Sequence, residues 1–336
     1  MDAAAFQTHD AMTNRPDAIV DAHHHLWHLG AGRYPWLQDR YDPQAFFLGN
    51  YAALQRDFGA DAYLAHWPGI RVDGTVHVEA ERDRAESLAE TAWLHDHHAR
   101  YGFPNAVVAH VDLLNADHAT HLRAQLRYPL VRGVRCKPRI ANDATHDVRH
   151  QPGTLQDPRW RAGLEALAAN GLAWDLRVPY WHLEEAAELI ATVPGLRVAV
   201  EHAGLPWDRS ETGLARWQRG MRALASLPGV HVKLSEFGLP GAPWQRASNV
   251  DVIRHAIDTF GAARCMFASN LPVSGLRASA AEIVDTMTDA MAGLDAGQSR
   301  GIWRDNALAF YRITLDGTAP HAGAGQPSAA STGVQA

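Results

Sequence analysis

Residues 17–23 read Asp-Ala-Ile-Val-Asp-Ala-His, a short β-type run that leads straight into His24 and His25. Seven more short β-type runs follow, at 74–79, 105–111, 130–137, 172–178, 196–202, 230–235 and 264–269, each of strand length. Helix-like segments fill the gaps, among them 82–98, 158–169, 183–192, 214–225, 249–260 and 280–294, and a last one covers 300–311. Asp157-Pro158 and Ser279 are N-terminal cap signals, and Gly171 and Gly195 sit where a helix hands over to a strand. Strands alternating with helices give a parallel sheet, and eight such units predict a single-domain α/β (β/α)8 barrel. The competing open, doubly wound sheet lacks its Gly-x-Gly-x-x-Gly fingerprint after every strand. Residues 26–73 are too long for a simple loop and are expected to pass over the barrel mouth. The expected domain runs from 17 to 316. Residues 1–16 lack apolar periodicity and 317–336 are low in complexity, so both read as unstructured tails.

Composition removes several function classes. The 336 residues are 46% hydrophobic and 20% charged, with a formal net charge of −6. No basic run offsets that charge, so nucleic acid is not an expected partner. No stretch approaches the roughly 20 apolar residues of a membrane span. The first twenty residues have no apolar core of a secretory signal. Two cysteines, Cys136 and Cys265, are too few for a disulfide framework, and a cytoplasmic location is the expectation. Of 31 Lys plus Arg residues only two are lysine, Lys137 and Lys233. A lysine that survives such a bias toward arginine is expected where a compact charge of tunable pKa is needed.

In a (β/α)8 barrel the chemistry lies at the C-terminal ends of the strands, and side chains alternate between faces. His23 and His25 share one face of the first strand end, where two neutral imidazoles can converge on one ion or water. Asp21 has the same parity. In the second strand His77 and Glu79 oppose Val76, Val78 and Ala80, so the polar pair is expected to point inward, with Glu79 a candidate base. Arg135 and Lys137 share the inward face of the fourth strand. Lys233 has the polar parity of the seventh, beside His231 and Ser235. A basic lining of this kind suits an anionic substrate or a developing oxyanion. The plainer reading of the lysines is a structural ion pair with Glu79, Asp175 or Glu236. In the sixth strand Val198, Val200 and His202 form one face, which turns Glu201 away. Asn270 ends the eighth strand, next to the first.

These residues resemble a known family. Asp21-Ala22-His23-His24-His25-Leu26-Trp27, Tyr34-Pro35-Trp36-Leu37, Glu201-His202-Ala203-Gly204 and Met266-Phe267-Ala268-Ser269-Asn270-Leu271-Pro272-Val273 are similar to the amidohydrolase superfamily. The branch is the amidohydrolase-related group that includes L-fuconolactonase and 2-pyrone-4,6-dicarboxylate lactonase. Asp305-Asn306-Ala307-Leu308-Ala309-Phe310-Tyr311 resembles its closing helix, and the likeness runs in order over roughly 18–315. The resemblance implies a distorted barrel that hydrolyses esters, lactones or amides. It implies that His23, His25 and His202 are site residues and candidate metal ligands. The strand-eight position, usually an Asp that activates water or binds metal, is Asn270 here. An amide cannot take the water proton at neutral pH. One divalent ion, zinc or manganese, and a metal-free site both stay open.

The expected function is hydrolysis of a small cyclic ester, a sugar or aromatic-degradation lactone. His23, His25 and His202 would polarise the carbonyl or orient water, Asn270 would position the water, and Glu79 or a histidine would take its proton. Lys137, Arg135 and Lys233 would hold a carboxylate or oxyanion, and Tyr34, Trp36 and Trp181 would wall the pocket. The alternatives are a metal-dependent decarboxylase of an aromatic acid and a ligand-binding barrel without catalysis. The sequence leaves the oligomeric state open.

Overall fold

The computed structural model describes residues 14–315, 317 and 320. It contains eight strands: β1 (Ala18–His24), β2 (Arg71–Val78), β3 (Ala106–Ala109), β4 (Val131–Val134), β5 (Ala173–Leu176), β6 (Arg197–Val200), β7 (Val230–Leu234) and β8 (Cys265–Phe267). They form one sheet in chain order, each strand parallel to the next. Backbone bonds join its two edges, from Asn270 N–H to His23 O (2.7 Å) and from His25 N–H to Leu271 O (2.8 Å). The sheet is therefore a nearly closed (β/α)8 barrel, as the alternating pattern predicts. The expected tails lie mostly outside the described residues. At the inner edge of the first, Asn14 is buried and its amide donates to Met291 O.

Two cores hold the barrel. The larger packs the outward strand residues, such as Trp174, Leu176, Val198, Val200 and Leu234, against the helices. The smaller fills the barrel itself with Val20, Ala22, Val76, Val78, Val108, Ala173, Ala199 and Met266. Phe310 and Tyr311 of the last helix (Asn306–Tyr311) plug it from the N-terminal end of the strands. Small side chains suit this inner layer because eight strands leave space only for a packed interior.

That apolar interior corrects two orientations. In β2 the valines face inward and His77 faces the helix layer, where its Nε2 meets Leu26 O at 3.2 Å. In β6 the inward parity is Ala199 and Glu201, so Glu201 points into the barrel rather than away. In β1 a register shift between Asp21 and His24 breaks the alternation. Asp21 accordingly leaves the face of His23 and His25 and accepts from Tyr63 Oη and Ser269 Oγ.

The segment after β1 crosses the mouth as expected. It carries short helices at Pro35–Gln38, Ala52–Leu54 and Ala60–Leu64. Its aromatics pack on one another, with Trp36 stacked on Phe46 (5.9 Å, 12°) and Trp27 edge-on to Trp36. Both cysteines are free and buried. No helix among the described residues is long and apolar enough to cross a membrane.

Candidate active site

A cavity of about 1420 Å³ opens at the C-terminal end of the strands. His25, His202 and Asn270 are at its strand-end wall, and Trp36, Phe46, Phe47, Trp181 and Trp207 surround it further out. Seven guanidinium or ammonium groups line it against three carboxylates. Phe47 stacks on Trp207 (5.6 Å), and Trp207 lies 5.8 Å from Trp181. Trp36 and Trp181 both line this cavity. Tyr34 does not: it is buried within the crossing segment, beneath the Arg82 guanidinium.

The three histidines come together. His23 is fully buried, with its Nε2 3.3 Å from His25 Nε2 and its ring centroid 4.7 Å from that of His202. His202 reaches this cluster because the chain turns left-handed after β6, with φ of 57° at His202 and 48° at Ala203. Simple alternation would have sent it into the helix layer with Val198 and Val200. Burial, followed by nearby cations and imidazoles, pushes His23 and His202 well below the ordinary histidine range, and His25 likewise, so all three are neutral at pH 7.

His25 Nδ1 lies 2.7 Å from Val78 O, which only accepts, so Nδ1 carries the proton and Nε2 is a bare lone pair. If His23 Nε2 is also bare, two lone pairs face each other. Their spacing is about that of two nitrogens each about 2.0–2.1 Å from one tetrahedral zinc ion. If His23 Nε2 carries the proton, His23 Nδ1 is bare and faces Glu201 Oε1 at 3.6 Å, and neither atom has a hydrogen-bond partner. Either tautomer sets a lone pair against an acceptor, and burial disfavours the doubly protonated ring that would relieve it. A cation relieves it in both cases. His23, Glu201 and His202 offer ligand atoms within 4.8 Å of one another. The donor set therefore fits a divalent ion held by imidazoles and a carboxylate.

The charged residues divide by depth. Arg135 donates from Nε to Glu79 Oε1 (2.7 Å) and from Nη1 to Glu201 Oε2 (3.3 Å), all three being buried. Glu79 also accepts from Arg84 Nη1 (2.7 Å) and Glu81 N (3.0 Å). Arg135 foremost, then Arg84 and Lys137, overcome burial and hold its carboxyl well below the usual range. Glu79 does not line the cavity and has no free basicity, contrary to its expected place as a base. Lys137 does line the cavity, paired with Glu81. Lys233 does not: it is fully buried below the histidines and paired with Asp175, the plainer of the two readings.

Two further residues belong to the cavity region. Arg177 lines the wall with no ion pair or side-chain hydrogen bond among the described residues, its guanidinium 5.4 Å from the Phe47 ring centroid. It shares the inward parity of Ala173 and Asp175, opposite Trp174 and Leu176 in the outer core. Glu236, past the end of β7, bonds to Asn270, and no strand periodicity reaches it.

The amidohydrolase family model matches residues 20–313. The chain belongs to the amidohydrolase family. It is a hydrolase, within the group that holds the lactonases. It is 30% identical to an L-fucono-1,5-lactonase of Burkholderia multivorans over 88% of this chain and 96% of that protein. The uncharacterized protein y4mH of Sinorhizobium fredii is 32% identical over 88% and 99%. Among solved structures, an amidohydrolase of Burkholderia multivorans with bound zinc superposes with a TM-score of 0.70 at 26% identity, covering 88% of this chain and 100% of that one. A 2,6-dihydroxybenzoate decarboxylase from Rhizobium shares the fold, with a TM-score of 0.55 at 15% identity.

Proposed function

We propose that this amidohydrolase opens a small lactone that carries a carboxylate, by attack of water on the ring carbonyl. The observation that carries this reading is the meeting of His23, His25 and His202 beside Asn270 at the end of a cation-rich cavity. The lactonase relatives support it at the level of reaction class.

Arg177 and Lys137 bind the substrate carboxylate. Arg177 is the stronger anchor, because its planar fork is uncommitted and half-buried while Lys137 is shared with Glu81. The aromatic wall of Trp36, Trp181 and Trp207 holds the ring and limits water. Asn270 accepts from the attacking water and aims its free lone pair at the carbonyl carbon. As the C–O bond forms, the water's proton passes to the neutral imidazole of His25, whose Nε2 is a bare lone pair. The ring C–O bond then breaks, and that proton goes to the departing alkoxide, giving the open hydroxy acid. His23, His202 and Glu201 would hold a divalent ion, whose chemistry is polarisation of the carbonyl and acidification of bound water. Arg135 keeps Glu201 in place from below.

A panel of carboxylated and neutral lactones with a pH indicator tests the proposal. The parent is expected to turn over carboxylated members, and His25→Ala and His202→Ala to lose about 100-fold or more in kcat. Undiminished turnover in both variants would refute the reading.

A further inference from the structure

The strand-eight side chain is an amide, and its surroundings are built for one orientation of it. Asn270 Nδ2 donates to Glu236 Oε2, which also accepts from Ser274 Oγ at 3.0 Å. Asn270 Oδ1 is buried with no hydrogen-bond partner, and Asn270 lines the cavity. Glu236 is itself 3% exposed and sits at φ 50°, just past β7. Gly238 leaves space for it, since a Cβ there would lie 3.1 Å from Glu236 Oε1. Asn270, at φ 53°, faces Glu236 across the gap between the two strand ends.

An asparagine amide has a donating end and an accepting end, and a half-turn exchanges them. An ionised glutamate only accepts, so it captures the Nδ2 end and leaves Oδ1 toward the cavity. We propose that Glu236 is a positioning residue that locks the Asn270 amide with its oxygen toward the reacting water. The Glu–Asn pair then offers the water the accepting oxygen that a lone strand-eight aspartate would offer, with the negative charge moved one strand back. A protonated Glu236 can donate to Oδ1 and turn the NH2 into the site, where it cannot accept from water.

The pair rests on the lactone reading above for its role in turnover. The groups that face Glu236 are Asn270 and Ser274, which bond to it, and the guanidinium groups of Arg177 and Arg277. Burial outweighs all four and raises its carboxyl to about 7. Turnover is therefore present above that pH and falls as pH drops through it, in kcat more than in KM. The three site histidines are already neutral there and do not produce this limb.

The test is a charge exchange. Glu236→Gln removes the lock, and Asn270→Asp sets two carboxylates against each other. Each single variant should lose about tenfold or more in kcat at pH 8. The double variant Glu236→Gln/Asn270→Asp, with a glutamine amide donating to an aspartate, should regain most of that loss and move the acidic limb to lower pH. Glu236→Gln with full kcat and an unchanged limb would overturn the proposal, as would a double variant no better than the worse single. A readout independent of turnover is the Asn270 side-chain 1H–15N resonance, assigned by its loss in Asn270→Ser. It should shift as pH crosses about 7 in the parent and stay fixed in Glu236→Gln. A parent that opens no lactone defeats the lactone reading and leaves this resonance to decide the pair. A resonance that does not follow Glu236 defeats the pair and leaves the lactone reading standing.

Discussion

Replacing Lys233 with methionine separates a structural cation from a substrate-binding one. The ammonium is fully buried and paired with Asp175, whose oxygens also accept from Tyr311 Oη at 3.0 and 2.9 Å. Lys233 Nζ lies 5.2 Å from the Tyr311 ring centroid, so it is enclosed on that side too. Lys233→Met leaves Asp175 with one phenol donor in a medium that already raises its pKa by burial. Breaking one side of such a pair costs about 3–5 kcal/mol. With an unfolding entropy of about 2.1 cal/mol/K per residue over about 300 packed residues, that is a fall in Tm of about 5–8 °C. Lys233→Met/Asp175→Asn removes the stranded charge and keeps an acceptor for Tyr311, so it should recover at least half of the loss. Thermal scans of the three proteins measure this directly. KM should move by about twofold or less, because Lys233 does not line the cavity. A tenfold rise in KM with Tm unchanged would refute the reasoning and make Lys233 an anion-binding residue.

Three other outcomes are expected. Arg177→Ala should lower kcat/KM for a carboxylated lactone by about 10–100-fold, the worth of a hydrogen bond to a charged group, and leave its methyl ester within about threefold; initial rates on the two substrates check this. Parent protein dialysed against zinc or manganese and then buffer should retain metal in elemental analysis, and Glu201→Gln should weaken retention about tenfold or more. Glu90, buried and accepting from Ala80 N, has its carboxyl raised to about 8, first by burial and then by Glu79. A raised carboxyl stabilises the fold below its unfolded pKa and loses that contribution as pH rises through the folded value. The Tm of Glu90→Gln should thus gain on that of the parent between pH 5 and 9, by an amount on the order of 5 °C.

The barrel was legible because its signal is repeated. All eight expected runs contain one of the observed strands or differ from it by a few residues at an end, and the order of strands follows the chain. Orientation was less legible where polar side chains belong to the outer layer. His77 looked inward because an outer face should be apolar, yet Leu26 O supplies the partner that lets an imidazole pack under a helix. The interior accepts valines at 76 and 78 because Phe310 and Tyr311 close it into a dry core. Strand periodicity carries no information about that plug, which comes from more than 200 residues further along the chain.

The site itself was legible as a set of residue types and illegible as a geometry, and the backbone explains why. Glu81, His202, Glu236 and Asn270, just past the ends of β2, β6, β7 and β8, all have φ between 50° and 57°. A left-handed residue with a side chain costs about 1–2 kcal/mol, so these four cost about 4–8 kcal/mol together. Each such residue ends the two-fold alternation on which the reading of faces depends. Alternation therefore fails first at the rim, where the strands stop and the cavity begins. It misplaced Glu201, the first residue past β6, for a different reason, a wrong choice of face, and it could say nothing of the face of Glu236. The same turns bring His202 back over Glu201 and set Asn270 opposite Glu236, neither of which a regular strand end would do. The strain and the candidate chemistry coincide because a regular barrel rim can present only alternate side chains, whereas this arrangement needs neighbouring ones.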